Sequence, residues 1–208
     1  MPNDFWNNAL TEKSWNILIN LKKEPFDFVL IGGWAAYLHT NLHKSKDIDI
    51  VIKNFEDLEK IKKRYNLIKN DSLKKYEIKM EEIDVDIYVP FFSRLAIPTE
   101  EIIKHTTKIQ NIEVVKPELL LILKQGAEKD REFSVKGEKD RIDIITLLFF
   151  SEIDFKEYHD LIAKYQLNNF YERLKKIIMN FKDTKYLGLT PRDLKLRKDG
   201  TLKKLKEI

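Results

Sequence analysis

Two aspartates one residue apart, Asp47-Ile48-Asp49, stand in an apolar run that reads as a β-strand. A second run, Ile83 to Val89, carries Asp84 and Asp86 in the same alternation. Side chains alternate across a strand, so Asp47 and Asp49 share one face while Ile48, Ile50 and Ile52 take the core. Carboxylates ~7 Å apart on one face repel each other and call for solvent, a base or a cation. Mg²⁺ (or Mn²⁺) suits that place, because a hard ion prefers oxygen ligands and bridges one or two carboxylates to the phosphates of a substrate. The alternative is a solvated sheet face with no ion. Asp86 is preferred to Asp84 as the third carboxylate, since it lies deeper in its apolar run while Asp84 follows the charged Glu81-Glu82 turn. With the two strands side by side, Asp47, Asp49 and Asp86 can hold two divalent ions. One would activate an incoming hydroxyl, and the other would clamp a triphosphate and the departing pyrophosphate.

The elements that position these acids are readable from pattern. Phe26 to Ile31 reads as a buried strand, Gly32-Gly33 as a tight turn, and Trp34 onward as a helix whose first amides are open to an anion such as phosphate. Phe55 to Tyr65 has helical spacing, and Lys75 to Met80 with Ile83 to Val89 makes a hairpin. Ile112 to Val115 is a further short strand, after which Pro117 opens a long helix at a position that tolerates proline. There the character changes from mixed to helical. The expectation is an α+β fold: a mixed β-sheet with covering helices over residues 1–116, then a helical C-terminal region with a basic tail over 117–208.

The helical region carries a second constellation. Lys124 interrupts the apolar run Leu119 to Leu123, so its stem is expected to be buried and its ammonium aimed at something specific. Lys124 and Arg131 lie two turns apart on one helix face, and Lys139, Asp140 and Asp143 share a face of the next. Ion pairing between two packed helices accounts for such a pattern, and a nucleotide phosphate is the other destination for the lysine.

Gly32-Gly33, a spacer, Asp47-Ile48-Asp49 and the later Asp86 resemble the signature of the nucleotidyltransferase fold superfamily, the polymerase-beta-like enzymes. The chain departs from it at Gly33, where many members have Ser. Lys124, Ala127, Arg131 and Lys139-Asp140-x-x-Asp143 further resemble one branch, the abortive-infection nucleotidyltransferases of prokaryotic type IV toxin-antitoxin systems and their relatives. The resemblance covers about Phe26 to Phe150. It implies a Mg²⁺-dependent enzyme passing NMP from an NTP to a hydroxyl. Gly32, Gly33 and Lys44 or Lys46 would hold the triphosphate, with metal at Asp47, Asp49 and Asp86. Lys124, Arg131 and Lys139 would lie toward nucleotide or acceptor phosphates, and Asp140 or Asp143 would complete the site. Asp86 is the candidate general base if it faces the acceptor. The acceptor implied is RNA, a tRNA end above all, in a toxin-like role with a cognate antitoxin protein as partner; protein side chains and small alcohols stay open. The competing class is a nucleotide-binding antitoxin or interaction module with little turnover.

Composition fits either class. The chain has 208 residues, 43% of them hydrophobic, enough for one domain or a compact pair. It has no cysteine, which excludes a disulfide framework, and His39, His43, His105 and His159 lack zinc-ligand spacing. No apolar run approaches bilayer length and the Met1-Pro-Asn-Asp start lacks leader features, so no membrane partner and a cytoplasmic location are expected. The net charge is only +4, but the segment from Arg173 to Lys206 is strongly basic. Interspersed with or just before it are Tyr165, Phe170, Tyr171 and Tyr186, which are expected to offer stacking surfaces to RNA.

Overall fold

The computed structural model describes residues 8–207, and the Met1-Pro-Asn-Asp start lies outside them. The chain divides into two compact units, Met1–Lys116 and Pro117–Ile208.

The first unit is built on a seven-stranded mixed sheet in the order β3-β4-β5-β2-β1-β7-β6. Its strands are β1 (Phe28–Ile31), β2 (Ile48–Ile52), β3 (Leu67–Asn70), β4 (Lys75–Met80), β5 (Ile83–Tyr88), β6 (Thr106–Ile109) and β7 (Ile112–Val115). Every residue of β1 is buried, as are Ile48, Ile50, Val51 and Ile52 of β2. In β5 the buried Ile83, Val85 and Ile87 alternate with half-buried Asp84, Asp86 and Tyr88. This is the period-2 pattern that commits one face to the core and leaves the acids on the other. β2 pairs antiparallel with β1 and parallel with β5.

Helices α1 (Asn8–Leu21), α2 (Gly32–Thr40), α3 (Phe55–Arg64) and the single turn α4 (Thr99–Ile102) complete the unit. Helix α2 follows directly on the last residue of β1, buries Trp34, Ala35, Ala36 and Leu38, and is capped by Asn41 in the left-handed conformation at φ 57°. The Trp34 Nε1–H donates to Ser14 Oγ at 2.8 Å, tying α1 to α2, and the Trp34 ring lies 5.1 Å from Trp15 and 5.5 Å from Tyr37. Two-residue turns set the hairpin registers: Glu81-Glu82 joins β4 to β5, and Gln110-Asn111, with φ 50° and 61°, joins β6 to β7.

The second unit is helical: α5 (Pro117–Asp130), α6 (Val135–Phe150), α7 (Phe155–Lys164), α8 (Phe170–Asn180), a short turn at Lys185–Leu187, and α9 (Pro191–Lys206). Side-chain caps start three of these helices. Ser134 accepts from the Gly137 amide, Asp154 from Lys156 and Glu157, and Thr190, followed by Pro191, from Asp193. Gln125, fully buried, accepts from the Tyr158 hydroxyl at 2.7 Å and donates to the Phe170 carbonyl at 2.9 Å, linking α5, α7 and α8.

The tail is more structural than expected. Phe170 is 3% exposed and forms part of the core, so it offers no stacking surface. The Tyr171 hydroxyl donates to the Leu205 carbonyl, Arg197 donates to the Phe149 carbonyl and covers the Phe150 ring, and Lys198 donates to the carbonyls of Met179 and Phe181. These cations close helix ends, where carbonyls are otherwise orphaned. Arg192, Lys195, Lys203, Lys204 and Lys206 remain exposed on α9.

Candidate active site

The sheet register brings acids into one row. Asp49 of β2 is the direct partner of Asp86 on β5, and Asp86 is the direct partner of Glu77 on β4. Three carboxylates on three adjacent strands therefore share one face, with neighbouring strands ~4.8 Å apart. Asp47 is not in the ladder: β2 begins at Ile48, and Asp47 lies in the bend before it. Its orientation is set by the loop, so the expectation that it sits in the strand beside Asp49 is corrected.

Gly32 has φ +70°, and a Cβ placed on it would lie 2.0 Å from Asp49 Oδ2 and 2.6 Å from its Cγ. The Asp49 carboxylate therefore lies directly over the Gly32 backbone, at the first residue of α2. Only glycine meets both demands, a left-handed φ and no side chain. The N-cap of α2, Ile31, supplies no side-chain hydrogen bond. The first turn of α2 and the Asp49 carboxylate thus occupy one spot, where a phosphate would meet the helix N-terminus favourably and the carboxylate unfavourably.

A lysine that sequence reading missed enters this row. Lys75 Nζ lies 2.6 Å from Asp86 Oδ2 and 3.1 Å from Glu77 Oε1, and Asn70 Nδ2 donates to the same Glu77 oxygen at 2.9 Å. Burial and the neighbouring Asp49 charge push the Asp86 carboxyl up to about 6, against the opposing pull of Lys75. Burial alone would lower the Lys75 ammonium, but its bonds to Asp86 and Glu77 outweigh that and hold it above its usual value. Glu77 and Lys75 were readable in principle. A two-residue turn at Glu81-Glu82 places Glu77 opposite Asp86, and Lys75, two residues earlier, shares the face.

Among the described residues no three His, Asp or Glu side chains form a ready-made ion cage. Two carboxylate oxygens, Asp47 Oδ1 and Asp86 Oδ1, are buried and accept no hydrogen bond from any described residue. Each such atom costs about 1–3 kcal/mol, more when charged. At Asp47 a divalent cation relieves that cost, since Mg²⁺ commonly takes one or two carboxylates and completes its shell with water and substrate phosphates; at Asp86 a proton on Oδ1 does the same. The donor set fits the cation.

Two other named residues, Lys44 and Lys46, belong to the same unit. Lys44 lines a cavity of about 370 Å³ with Trp15, Trp34, Tyr37 and Gln110, and none of the three aspartates lines it. Lys46 is half-buried beside Asp47 in the bend. Lys124, Arg131, Lys139, Asp140 and Asp143 belong to the second unit. There Lys124 Nζ lies 2.6 Å from Asp143 Oδ2 and 3.5 Å from Asp140 Oδ1, and Arg131 grips Asp140 through Nε at 2.6 Å and Nη2 at 3.0 Å. Lys139 is half-buried. Glu128, 1% exposed, accepts from Arg141 at 2.9 Å and Arg173 at 2.6 Å. The ammonium of Lys124 is aimed at carboxylates of the neighbouring helix, which is the ion-pairing alternative open at the sequence level.

No protein-family model matches the chain, and no curated protein is similar to it in sequence. Several solved structures are similar to it. A putative nucleotidyltransferase from H. pylori has a TM-score of 0.48 at 16% identity, over 100% of this chain and 98% of that one. JHP933 from Helicobacter pylori has a TM-score of 0.47 at 20% identity, over 97% and 95%. The lincosamide antibiotic adenylyltransferase LnuA, solved with lincomycin bound, has a TM-score of 0.41 at 15% identity, over 69% of this chain and 97% of that one.

Proposed function

We propose that the chain transfers NMP from an NTP to a hydroxyl acceptor at the face formed by Gly32, Asp49 and Asp86. The observation that carries this reading is the Asp49 carboxylate lying on the Gly32 backbone at the start of α2, in register with Asp86. Anion-binding amides and an acid share one position, and a cation between carboxylate and phosphate makes them compatible.

In this reading the amides of Gly33 and Trp34 receive the triphosphate and hold it still. Asp47 and Asp49 would hold Mg²⁺ or Mn²⁺. When bound, that ion would neutralise charge on the phosphates and on the pyrophosphate leaving group. Asp86 takes the proton of the acceptor hydroxyl, a task suited to a carboxyl raised to about 6. The acceptor oxygen forms a bond to Pα, the bond from Pα to the bridging oxygen breaks, and pyrophosphate leaves. RNA is the proposed acceptor, supported by the exposed cations of α9, Arg192, Lys195, Lys203, Lys204 and Lys206, which suit a polyanionic backbone. The toxin-like role rests on the motif resemblance alone.

A specific observation favours a second reading, a nucleotide-binding module without turnover: Lys75 already occupies one oxygen of Asp86. Incubation with each labelled NTP, Mg²⁺ and total RNA separates the two. The transferase reading expects label in RNA, pyrophosphate release, and loss of both in Asp49→Asn. NTP binding without pyrophosphate release would leave the binding module standing.

A further inference from the structure

We infer that the Lys75 ammonium is a built-in second cation of this centre, so that the chain takes one divalent ion, at Asp47 and Asp49, and none at Asp86. The inference rests on the NMP-transfer reading for its substrate and on the geometry of β4 and β5 for its content.

The two-residue turn at Glu81-Glu82 puts Lys75 and Glu77 on the same sheet face as Asp86. The lysine is no loose surface cation: its side chain is 12% exposed, as Asp86 is 16%, and it is held at 2.6 Å from Asp86 and 3.1 Å from Glu77. Glu77 is itself fixed by Asn70. An ammonium at that distance stands where Asp86 would reach a second ion. A divalent cation bound to Oδ2 would have to expel Lys75 from a largely buried place in which both its partners are acids, and Oδ1, which accepts no hydrogen bond from a described residue, is the atom left to take the acceptor's proton. The remaining acid of the row, Asp49, lies at Gly32 on the far side of Asp86 from Lys75, next to the amides that would receive the triphosphate. One divalent ion and one ammonium are thus placed at opposite ends of the row. Lys75 acts as a positioning residue: it fixes the Asp86 carboxylate and takes the share of negative charge that two ions would otherwise divide.

The test counts ions. Mn²⁺ is titrated into the full chain with a non-hydrolysable NTP analogue, and free Mn²⁺ is followed by electron paramagnetic resonance. One ion per chain is expected for the wild type and for Lys75→Arg, and two for Lys75→Met, with Asp86→Asn in the Lys75→Met background returning the count to one. Two ions in the wild type, none in the wild type, or one in a folded Lys75→Met would each overturn the inference. Circular dichroism establishes folding. If Lys75→Met does not fold, Lys75→Gln, which keeps a donor to Asp86, takes its place, and the wild-type count still decides. A count of one with no labelled transfer to any acceptor would sink the NMP-transfer reading and leave the role of Lys75 intact.

Discussion

In the helical unit Asp140 meets Arg131 and Lys124, Asp143 meets Lys124, and Glu128 meets Arg141 and Arg173. In the sheet unit Asp49, Asp86 and Glu77 stand in one row, and Lys75 reaches two of them. Both clusters bury carboxylates beside lysine. In the first the acids are matched by cations of the same unit, so that removing one member leaves a buried charge uncompensated. In the second one lysine is placed against two of three acids, Asp86 is raised by burial and by its neighbour's charge, and Asp86 Oδ1 accepts no hydrogen bond from a described residue. Balance of charge distinguishes the first cluster, and imbalance marks the second as a place that needs something brought to it.

The sharpest way to break that contrast is Lys124→Met. It leaves Asp143 buried without this partner and should cost about 3–5 kcal/mol of unfolding free energy, with NTP affinity per folded molecule unchanged. Denaturant unfolding and nucleotide titration read the two quantities. A stable variant that has lost NTP binding would transfer Lys124 from scaffold to site. Next in size is Asp49→Asn, expected to lower labelled NMP transfer by roughly 10²–10³-fold while leaving stability within about 1 kcal/mol, because it relieves repulsion with Asp86. A large loss of stability with activity per folded molecule preserved would show that the row is scaffold too.

The third prediction concerns pH in the metal-free protein. Asp86 binds its proton more tightly when folded, at about 6 against 3.8 as a free side chain. Its contribution to stability is therefore fully present below about pH 4 and is lost as pH rises through about 6. Relative to Asp86→Asn, the wild type should lose on the order of 2–3 kcal/mol across that window. Parallel stability curves for the two proteins between pH 4 and 7 would remove the imbalance. Gly32→Ala is expected to cost about 1–2 kcal/mol from the left-handed backbone alone, with a further loss from contact with Asp49. That further loss should disappear in an Asp49→Ala background, which a double-mutant cycle measures.

Much of this was legible in the chain because it is governed by period and turn chemistry. Alternation in Ile48 to Ile52 and in Ile83 to Tyr88 announces two strands with acids on the uncommitted face, and Pro117 announces the helix that follows. The hairpin of β4 and β5 and the α+β class follow from the same signals. Asp47 was misplaced because a strand's first residue is decided by ladder bonds, and a pattern continuous through Asp47 carries no mark of where pairing starts. Short strands such as β6, with two of its four residues exposed, lack an apolar signal. Lys75 and Glu77 were missed for a different reason: a lone charged residue in a strand looks solvated until register shows what stands opposite. The fate of the Lys124 ammonium was likewise undecidable from spacing, since phosphate and carboxylate attract it through the same charge.

The placement of Trp34 has a practical consequence. Its indole follows Gly33 directly, is 1% exposed, and is fixed by Ser14 and by contact with Trp15 and Tyr37. A nucleotide seated on the first turn of α2 would arrive at the amide of a residue whose own ring is an emitter in a rigid aromatic setting. Intrinsic fluorescence is thus a label-free optical readout of site occupancy, and Trp34→Phe is its control.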